Sequence, residues 1–295
     1  MPHDTVTDDA LALTQPWPLP LRRLLLEGRE ALRQGRADIA CRRYEAALRI
    51  EPNIPEAHVG LVLARRPGPD YRTWLKTLHD TLRPTVYLEI GVETGRTLRL
   101  AGPGTTAIGI DPAPCIPADT PLPARARVVA MTSQAFFADA AATATAGLPG
   151  AIDLAFIDGD HRFPAVLHDF IAVEEHMAPD GVIALHDTWP LTPGTADATR
   201  RTGFYTGDGW KLLPCLRALR PDLRLLTIPA PPTGLTLVTR LDPTSTVLRD
   251  RLDSILAAYA SLPYGPTGER ALALSGNDAA ALDQVMAWRA MAAAK

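Results

Sequence analysis

Apolar positions follow two regimes along the chain. Between residues 21 and 66 the period is helical: Leu24, Leu25, Gly28, Ala31 and Leu32, then, after a break at Gly35, Ile39, Ala40, Tyr44, Ala47 and Leu48. This predicts two antiparallel helices joined by a tight turn, with a third over Ile54–Ala64. After Pro67-Gly68-Pro69, a helix over Tyr71–Leu82 leads into short apolar runs that alternate with helical patterns. Val86–Ile90, Thr106–Ile110, Arg127–Met131, Ile152–Ile157 and Val182–Leu185 predict five strands. Between the last two, Ala165–Met177 places Val166, Phe170 and Val173 on one helical face, with Pro164 at its start. A helix over Trp210–Leu219 precedes two more runs, Leu223–Ile228 and Gly234–Thr239. Only Pro229–Thr233 separates these two, too short for a helical crossover, so they should be an antiparallel pair on an otherwise parallel sheet. Thr246–Lys295 reads as two amphipathic helices around a Pro263–Gly268 loop. The expected fold class is α/β: seven strands, mostly parallel, with an antiparallel last strand and an N-terminal helical cap. The expected divisions are a flexible leader over 1–20, the cap over 21–66, the α/β domain over 70–242 and a helical extension over 243–295.

In the cap, Leu24, Gly28, Ala40, Tyr44, Ala47 and Pro52 stand at the spacing of one tetratricopeptide unit, which this segment resembles. Small residues at 28, 40 and 47 let the two helices approach, Tyr44 fills the gap, and Pro52 ends the second helix. One such unit cannot bury its apolar face alone. The segment is therefore expected either to pack on the main domain or to serve a protein partner or a second copy of the chain.

Composition narrows the function classes. The 295 residues carry 30 basic and 33 acidic side chains, a net charge of −3, which gives no electrostatic reason to expect nucleic acid or an anionic membrane as partner. Hydrophobic residues make up 46%, enough for a large core without disulfide staples. Cys41, Cys115 and Cys215 form no CxxC pair, which argues against a disulfide scaffold and a cysteine zinc site. No apolar run reaches membrane-spanning length, and the acidic N-terminus does not read as a signal peptide, so a cytoplasmic location is expected. Phosphate-loop, HExxH and GxSxG motifs are absent, which lowers kinase and hydrolase readings.

Ligands of open parallel sheets sit at the carboxyl ends of the strands. The first strand ends in Glu89-Ile-Gly91-Val-Glu-Thr-Gly95, two glycines four apart that open a helix and allow close approach of a ligand. The second ends in Asp111, about twenty residues on, where a carboxylate can accept from a ribose diol. The turn lacks full GxGxxG spacing, which favours a smaller nucleoside ligand over a dinucleotide. Together with the antiparallel last pair, Glu89-x-Gly91-x-x-x-Gly95 and Asp111 resemble the class I S-adenosylmethionine-dependent methyltransferases, over roughly residues 70–240. The resemblance implies a Rossmann-like domain, with the glycine turn cradling the methionine part of the cofactor and Asp111 holding its ribose. Ser133-Gln134, after the third strand, looks like the adenine-contacting pair of catechol-type O-methyltransferases. Ser133 also fits a helix N-cap.

The polar cluster after strands four and five is the sharpest feature: Asp158-Gly-Asp160-His161 and His186-Asp187. Four of the seven histidines fall within residues 161–186. Crowded carboxylates are costly without a compensating cation or proton. Asp158 and Asp187, with His186 or Asp160, suit a divalent metal site. This resembles metal-dependent O-methyltransferases of small molecules and sugars, in which acids at these strand ends bind magnesium. His186 departs from that pattern, since a second carboxylate is usual there. The expected metal set is Asp158, His186 and Asp187, with Mg2+ or another divalent ion. Without metal, His161 or His186 would be the general base, and Asp160 or His161 is the preferred proton acceptor overall. Asp158 also belongs with the cofactor-facing residues. Residues 188–210 form a long connection in which Trp189, Phe204, Tyr205 and Trp210 either stack on a sugar or ring or pack the loop down. The expected reaction is methyl transfer to a small-molecule or sugar hydroxyl. The alternatives are a nicotinamide-dependent oxidoreductase and a non-catalytic interaction protein on a relic nucleotide fold.

Overall fold

The computed structural model describes residues 17–293 apart from 147, 149 and 150. Most of the predicted leader, residues 1–16, lies outside the described residues, as does Lys295 at the end of the predicted tail. The chain divides into two compact units, one N-terminal up to Pro67 together with Arg200–Tyr205, the other Gly68–Thr199 together with the chain from Thr206 onward.

Among its described residues the first unit holds three helices, α1 (Leu19–Arg33), α2 (Ala37–Ile50) and α3 (Pro55–Arg65). Helix α1 starts two residues before the predicted Leu21, because Pro20 falls in its first turn, where a missing amide hydrogen costs nothing. The Tyr44 ring occupies a slot between two glycines. A β-carbon added at Gly28 would stand 2.9 Å from the ring, and one at Gly60 would stand 2.2 Å from it. Helix α2 ends at Ile50, just before Pro52. Within the same unit, the Gly203 amide donates to Asn53 Oδ1 at 2.7 Å, and Phe204 stacks parallel on His58 with ring centres 5.2 Å apart.

The second unit opens with α4 (Tyr71–Leu82) and is built on a seven-stranded sheet: β1 (Val86–Ile90), β2 (Thr106–Ile110), β3 (Ala126–Val129), β4 (Ile152–Ile157), β5 (Met177–His186), β6 (Arg224–Ile228) and β7 (Leu235–Thr239). The order across the sheet is β3-β2-β1-β4-β5-β7-β6. The first five strands run parallel, and β7 is antiparallel to both of its neighbours, β5 and β6. This is a Rossmann-like α/β sheet. Alternate residues serve its two faces. Val86, Leu88 and Ile90 join Ile183 and Leu185 in one core, against Leu167 and Phe170 of α7 (Phe163–Glu174) and Leu212 and Leu216 of α8 (Leu212–Leu219). Tyr87, Leu154, Phe156, Val182 and Ala184 join Trp74, Leu75 and Leu78 of α4 in the other. Burial on both faces explains why these strands read as unbroken apolar runs.

Four expectations change. Strand β3 lies at 126–129 rather than 127–131, because it pairs with β2 only from Ala126 to Val129. Strand β5 begins at Met177, not Val182. A register shift between Ile152 and Leu154 absorbs the Pro-Asp-Gly stretch that hides this half of the strand in the sequence. The glycine turn opens a single 3-10 turn, Leu98–Leu100, rather than a helix, and Gly102-Pro103-Gly104 follows directly. The tail holds four helices instead of two: α9 (Val247–Asp250), α10 (Leu252–Tyr259), α11 (Pro266–Leu272) and α12 (Ala279–Ala293). Pro266, read as loop, sits in the first turn of α11. These helices belong to the same compact unit as the sheet. Among the described residues no helix is long and apolar enough to cross a membrane.

Candidate functional site

The carboxyl edge of the sheet is shaped first by the turn after β1. Gly91, Glu93 and Gly95 all have left-handed backbone, with φ of 88°, 46° and 73°. Gly91 is required twice over: for that φ, and because a β-carbon would stand 2.0 Å from the carbonyl oxygen of Asp158. Asp111 ties the turn down. One of its carboxylate oxygens accepts from the amides of Val92 (2.9 Å) and Glu93 (2.8 Å), the other from Ala113 (2.7 Å). A carboxylate offers about four acceptor positions, so Asp111 keeps room for one more donor, such as a ribose hydroxyl. Gly95 is buried under Ile116 and Leu122.

Glu89 lies beneath the turn. Its carboxyl is fully buried and accepts from the hydroxyls of Tyr87 (2.6 Å) and Thr97 (2.8 Å), anchoring the turn from beneath. Burial pushes it up to about 8, partly offset by the Tyr87 and Thr97 hydroxyls. Position 89 alternates to the same face as Tyr87, which places the carboxyl among the residues of the second core.

After β3 come helices α5 (Ser133–Ala138) and α6 (Ala140–Ala146), and the cap of α5 is Thr132, whose Oγ1 accepts from the Ala135 amide at 3.2 Å. Ser133 is the first helical residue, and its hydroxyl donates to Asp169 of α7 at 2.5 Å. Burial pushes the Asp169 carboxyl up to about 6. Gln134 is exposed. Ser133, Gln134 and Asp169 line a cavity of about 300 Å³.

The ends of β4 and β5 bring four of the five expected ionisable groups together. His161 Nδ1 lies 2.5 Å from Asp187 Oδ2, and its Nε2 lies 4.0 Å from Asp158 Oδ1. His186 Nδ1 lies 3.0 Å from Asp158 Oδ1 and 3.5 Å from Asp187 Oδ1. The other His186 nitrogen lies 3.3 Å from the Thr233 hydroxyl. Burial alone would lower both histidines, but the charges of Asp187 and Asp158 reverse this and hold both above the ordinary imidazole range. Burial likewise works against ionised Asp187, and the two histidines overcome it and hold its carboxyl low. Asp187 sits at φ 55°, a left-handed turn that aspartate tolerates better than most residues.

Asp160 stays apart from the cluster. Its carboxylate is exposed and turned to the Arg162 guanidinium, whose Nε donates at 2.9 Å, and this pairing holds it below the usual carboxylate range. Arg162, two residues on, closes on it with both its backbone amide and its guanidinium. His161 and His186 also differ. The His186 side chain is 8% exposed and its ring lies 4.0 Å from that of Tyr71, whereas the His161 side chain is 31% exposed. Tyr71 carries no motif. A helix that feeds β1 must begin at the carboxyl edge, and that topology is the one signal for its place here.

A divalent cation fits this donor set. Asp158, His161 and Asp187 each offer one ligand atom, all within 4.8 Å of one another. The imidazole in this trio is His161 rather than the expected His186, whose nitrogens are turned to Asp158 and Thr233. The loop aromatics pack inward. Trp189 and Trp210 join the first core, and their indole N–H groups donate to Glu269 Oε1 (2.8 Å) and to the Ala196 carbonyl (3.5 Å). Phe204 and Tyr205 stay within the helical unit, Phe204 on His58 and Tyr205 under the Arg200 guanidinium. A cavity of about 590 Å³ opens instead by Ala151 and Met177, where β4 and β5 begin, the opposite edge from the cluster.

Comparison with known proteins adds three findings. No match is found among curated protein sequences. Among solved structures, the chain is similar to a methyltransferase of Podospora anserina bound to SAH (13% identity, 82% of this chain and 98% of that chain, TM-score 0.45). It is also similar to an O-methyltransferase of Bacillus cereus in complex with SAH (14%, 78% and 94%, TM-score 0.41) and to a proposed O-methyltransferase of Klebsiella pneumoniae (14%, 78% and 92%, TM-score 0.45). Residues 88–188, from β1 through the end of the β5 cluster, match the family model described as a methyltransferase domain.

Proposed function

We propose that the protein is an S-adenosylmethionine-dependent methyltransferase that methylates a hydroxyl of a small molecule or sugar. One observation carries this reading. The Gly91 turn and the Asp158-Gly159 backbone are in van der Waals contact, so a cofactor on the turn and a substrate at the cluster would be neighbours. The match of residues 88–188 to a methyltransferase domain supports the same reading. The cofactor supplies an activated methyl group when bound, which leaves the chain to align the acceptor oxygen and remove its proton. In this reading Asp111 receives a ribose hydroxyl and the left-handed turn lets the ligand approach the backbone. His161 takes the acceptor proton, and Asp187, against its Nδ1, fixes ring orientation and stabilises the charged form. Asp158 and His186 fix the charge around them.

A second reading has a specific basis. The Asp158–His161–Asp187 trio would hold a divalent cation, which would lower the acceptor hydroxyl pKa. Titration calorimetry with S-adenosylmethionine and with NAD tests the main reading. Binding of the first is expected, binding of NAD alone would favour an oxidoreductase, and binding of neither by folded protein would sink both. Full activity in chelator, with no residual metal, would leave His161 as the base.

A further inference from the structure

His161 lies in the loop between β4 and α7, yet it is gripped from outside by a segment about forty-five residues further along the chain. The Gly209 amide donates to the His161 carbonyl at 2.9 Å. Two residues on, the Phe163 amide donates to Asp208 Oδ1 at 2.8 Å, so Asp208 serves the first turn of α7 as an acceptor from a distance. Gly207 closes the grip. Its φ is 74°, and a β-carbon there would stand 2.3 Å from the His161 carbonyl oxygen and 2.7 Å from the His161 Cβ.

The grip is itself fixed. Lys211 Nζ donates to Asp208 Oδ2 at 2.9 Å and to the Ala260 carbonyl at 2.8 Å. Both side chains are almost fully buried, 7% and 6% exposed. Lys211 is one of only three lysines in a chain whose positive charge is otherwise arginine. Burying an ammonium is costly unless it is paired and hydrogen-bonded, and this one is both. On the far side, the amides of Thr206 and Gly207 both donate to the Thr195 carbonyl at 3.0 Å. The strand between these anchors has little freedom, and neither has the histidine it holds.

We propose that Gly207, Asp208 and Lys211 are positioning residues that set the His161 imidazole against Asp187, an assignment that deepens the methyltransferase reading and rests on it. The side-chain geometry of His161 then depends on a segment that touches no reacting atom. Displacing the His161 carbonyl and Cβ would carry the ring with them, and misplacing a catalytic group by about 1 Å can cost about a hundredfold in rate.

The test uses the full-length protein with histidine side chains isotopically labelled, the His161 ring signals being assigned with His161→Gln. Gly207→Ala and Asp208→Ala should both move the His161 ring resonances. Each should lower kcat at least tenfold, while the KM and calorimetric Kd for S-adenosylmethionine stay within about twofold. Asp208→Asn keeps an oxygen to accept from Phe163, although the Lys211 ammonium loses its charged partner in both variants, and should restore part of the His161 ring position that Asp208→Ala loses. Unmoved His161 resonances with full kcat in both alanine variants would overturn the proposal, as would a loss of melting temperature with no change at His161. If Gly207→Ala does not fold, Asp208→Ala against Asp208→Asn decides. The resonances read the clamp without any turnover. A wild-type protein that binds no S-adenosylmethionine would therefore sink the methyltransferase reading, while moved His161 signals would still report the clamp.

Discussion

Replacing Glu89 by glutamine isolates a buried titratable group beneath the turn. The folded carboxyl is held up to about 8, against an ordinary 4.5, chiefly by complete burial. A carboxyl raised on folding adds stability that is fully present below its unfolded value. That stability is lost as pH climbs towards the folded one. Between 4.5 and about 8 the folded state holds one proton that the unfolded state has released. Each pH step in that interval removes about 1.4 kcal/mol. Over the interval of about 3.5 pH units the loss sums to on the order of 5 kcal/mol, an upper bound, since the site relaxes when charged. Glutamine cannot ionise, and its carbonyl can still accept from the Tyr87 or Thr97 hydroxyl, so the variant lacks this dependence. At pH 5 the wild type should be the more stable, because the protonated carboxyl meets the two hydroxyls with a carbonyl and an O–H that can donate or accept, whereas the amide turns an NH2 that cannot accept to one of them. At pH 8.5 the order should reverse. With about 2–4 °C per kcal/mol for a unit of this size, the wild-type-minus-variant difference in melting temperature should move by roughly 10 °C or more. Differential scanning calorimetry from pH 5 to 9 measures it, and groups shared by both proteins, such as Asp169, cancel. Parallel melting curves across that range would refute the reasoning.

Gly91→Ala should cost about 3 kcal/mol, from left-handed strain and the Asp158 carbonyl clash, and should weaken S-adenosylmethionine binding, whereas Gly104→Ala, with nothing within 4 Å, should stay within about 0.5 kcal/mol in the same urea titrations. Asp160→Asn removes an exposed pair with Arg162 and should leave turnover within about twofold, while Asp158→Asn should lower it by about a hundredfold or more in a methyl-transfer assay. Arg220→Met strands the buried Glu174 carboxylate, which Arg220 contacts at 2.7 and 3.0 Å, and should cost about 3–5 kcal/mol in chemical denaturation. In metal-free protein kcat/KM should rise with pH to beyond the ordinary imidazole range, because His161 accepts a proton only once it has lost its own. A pH-independent profile from 6 to 9 would exclude it as the base.

Strand positions were legible because burial on both faces turns each strand into a short apolar run, and the Pro229–Thr233 spacing alone specified the antiparallel partner. Strand β5 was legible only in its second half, since Pro179, Asp180 and Gly181 carry no strand signal and are held by pairing across a register shift. The convergence of Asp158, His161, His186 and Asp187 follows from strand adjacency, which topology rules supply. Which atom meets which does not follow. Asp160 and His161 are neighbours in the chain, yet one faces Arg162 and the other Asp187. That choice is made by Gly207 and Gly209 against the His161 carbonyl, contacts far off in sequence. The loop aromatics failed as stacking candidates for a related reason: composition shows that tryptophans are present but not that Glu269 and Ala196 await their N–H groups.

The histidine at position 186 changes what the cluster can be. With a carboxylate there, three acids would face one another and a cation or a shared proton would be obligatory. With His186, two carboxylates meet two imidazoles, and the two shortest contacts are Asp187 with His161 and Asp158 with His186. The shifts agree with this: both histidines are held up and Asp187 is held low. Protons on the two imidazoles can thus offset the two carboxylates. A divalent cation at Asp158, His161 and Asp187 has to displace the His161 proton to enter, so cation binding and proton binding compete at the same nitrogen. In the two catalytic readings a proton and a cation are thus alternative occupants of one site, and His186, its ring tilted against that of Tyr71 and held on both nitrogens, has the same place in either.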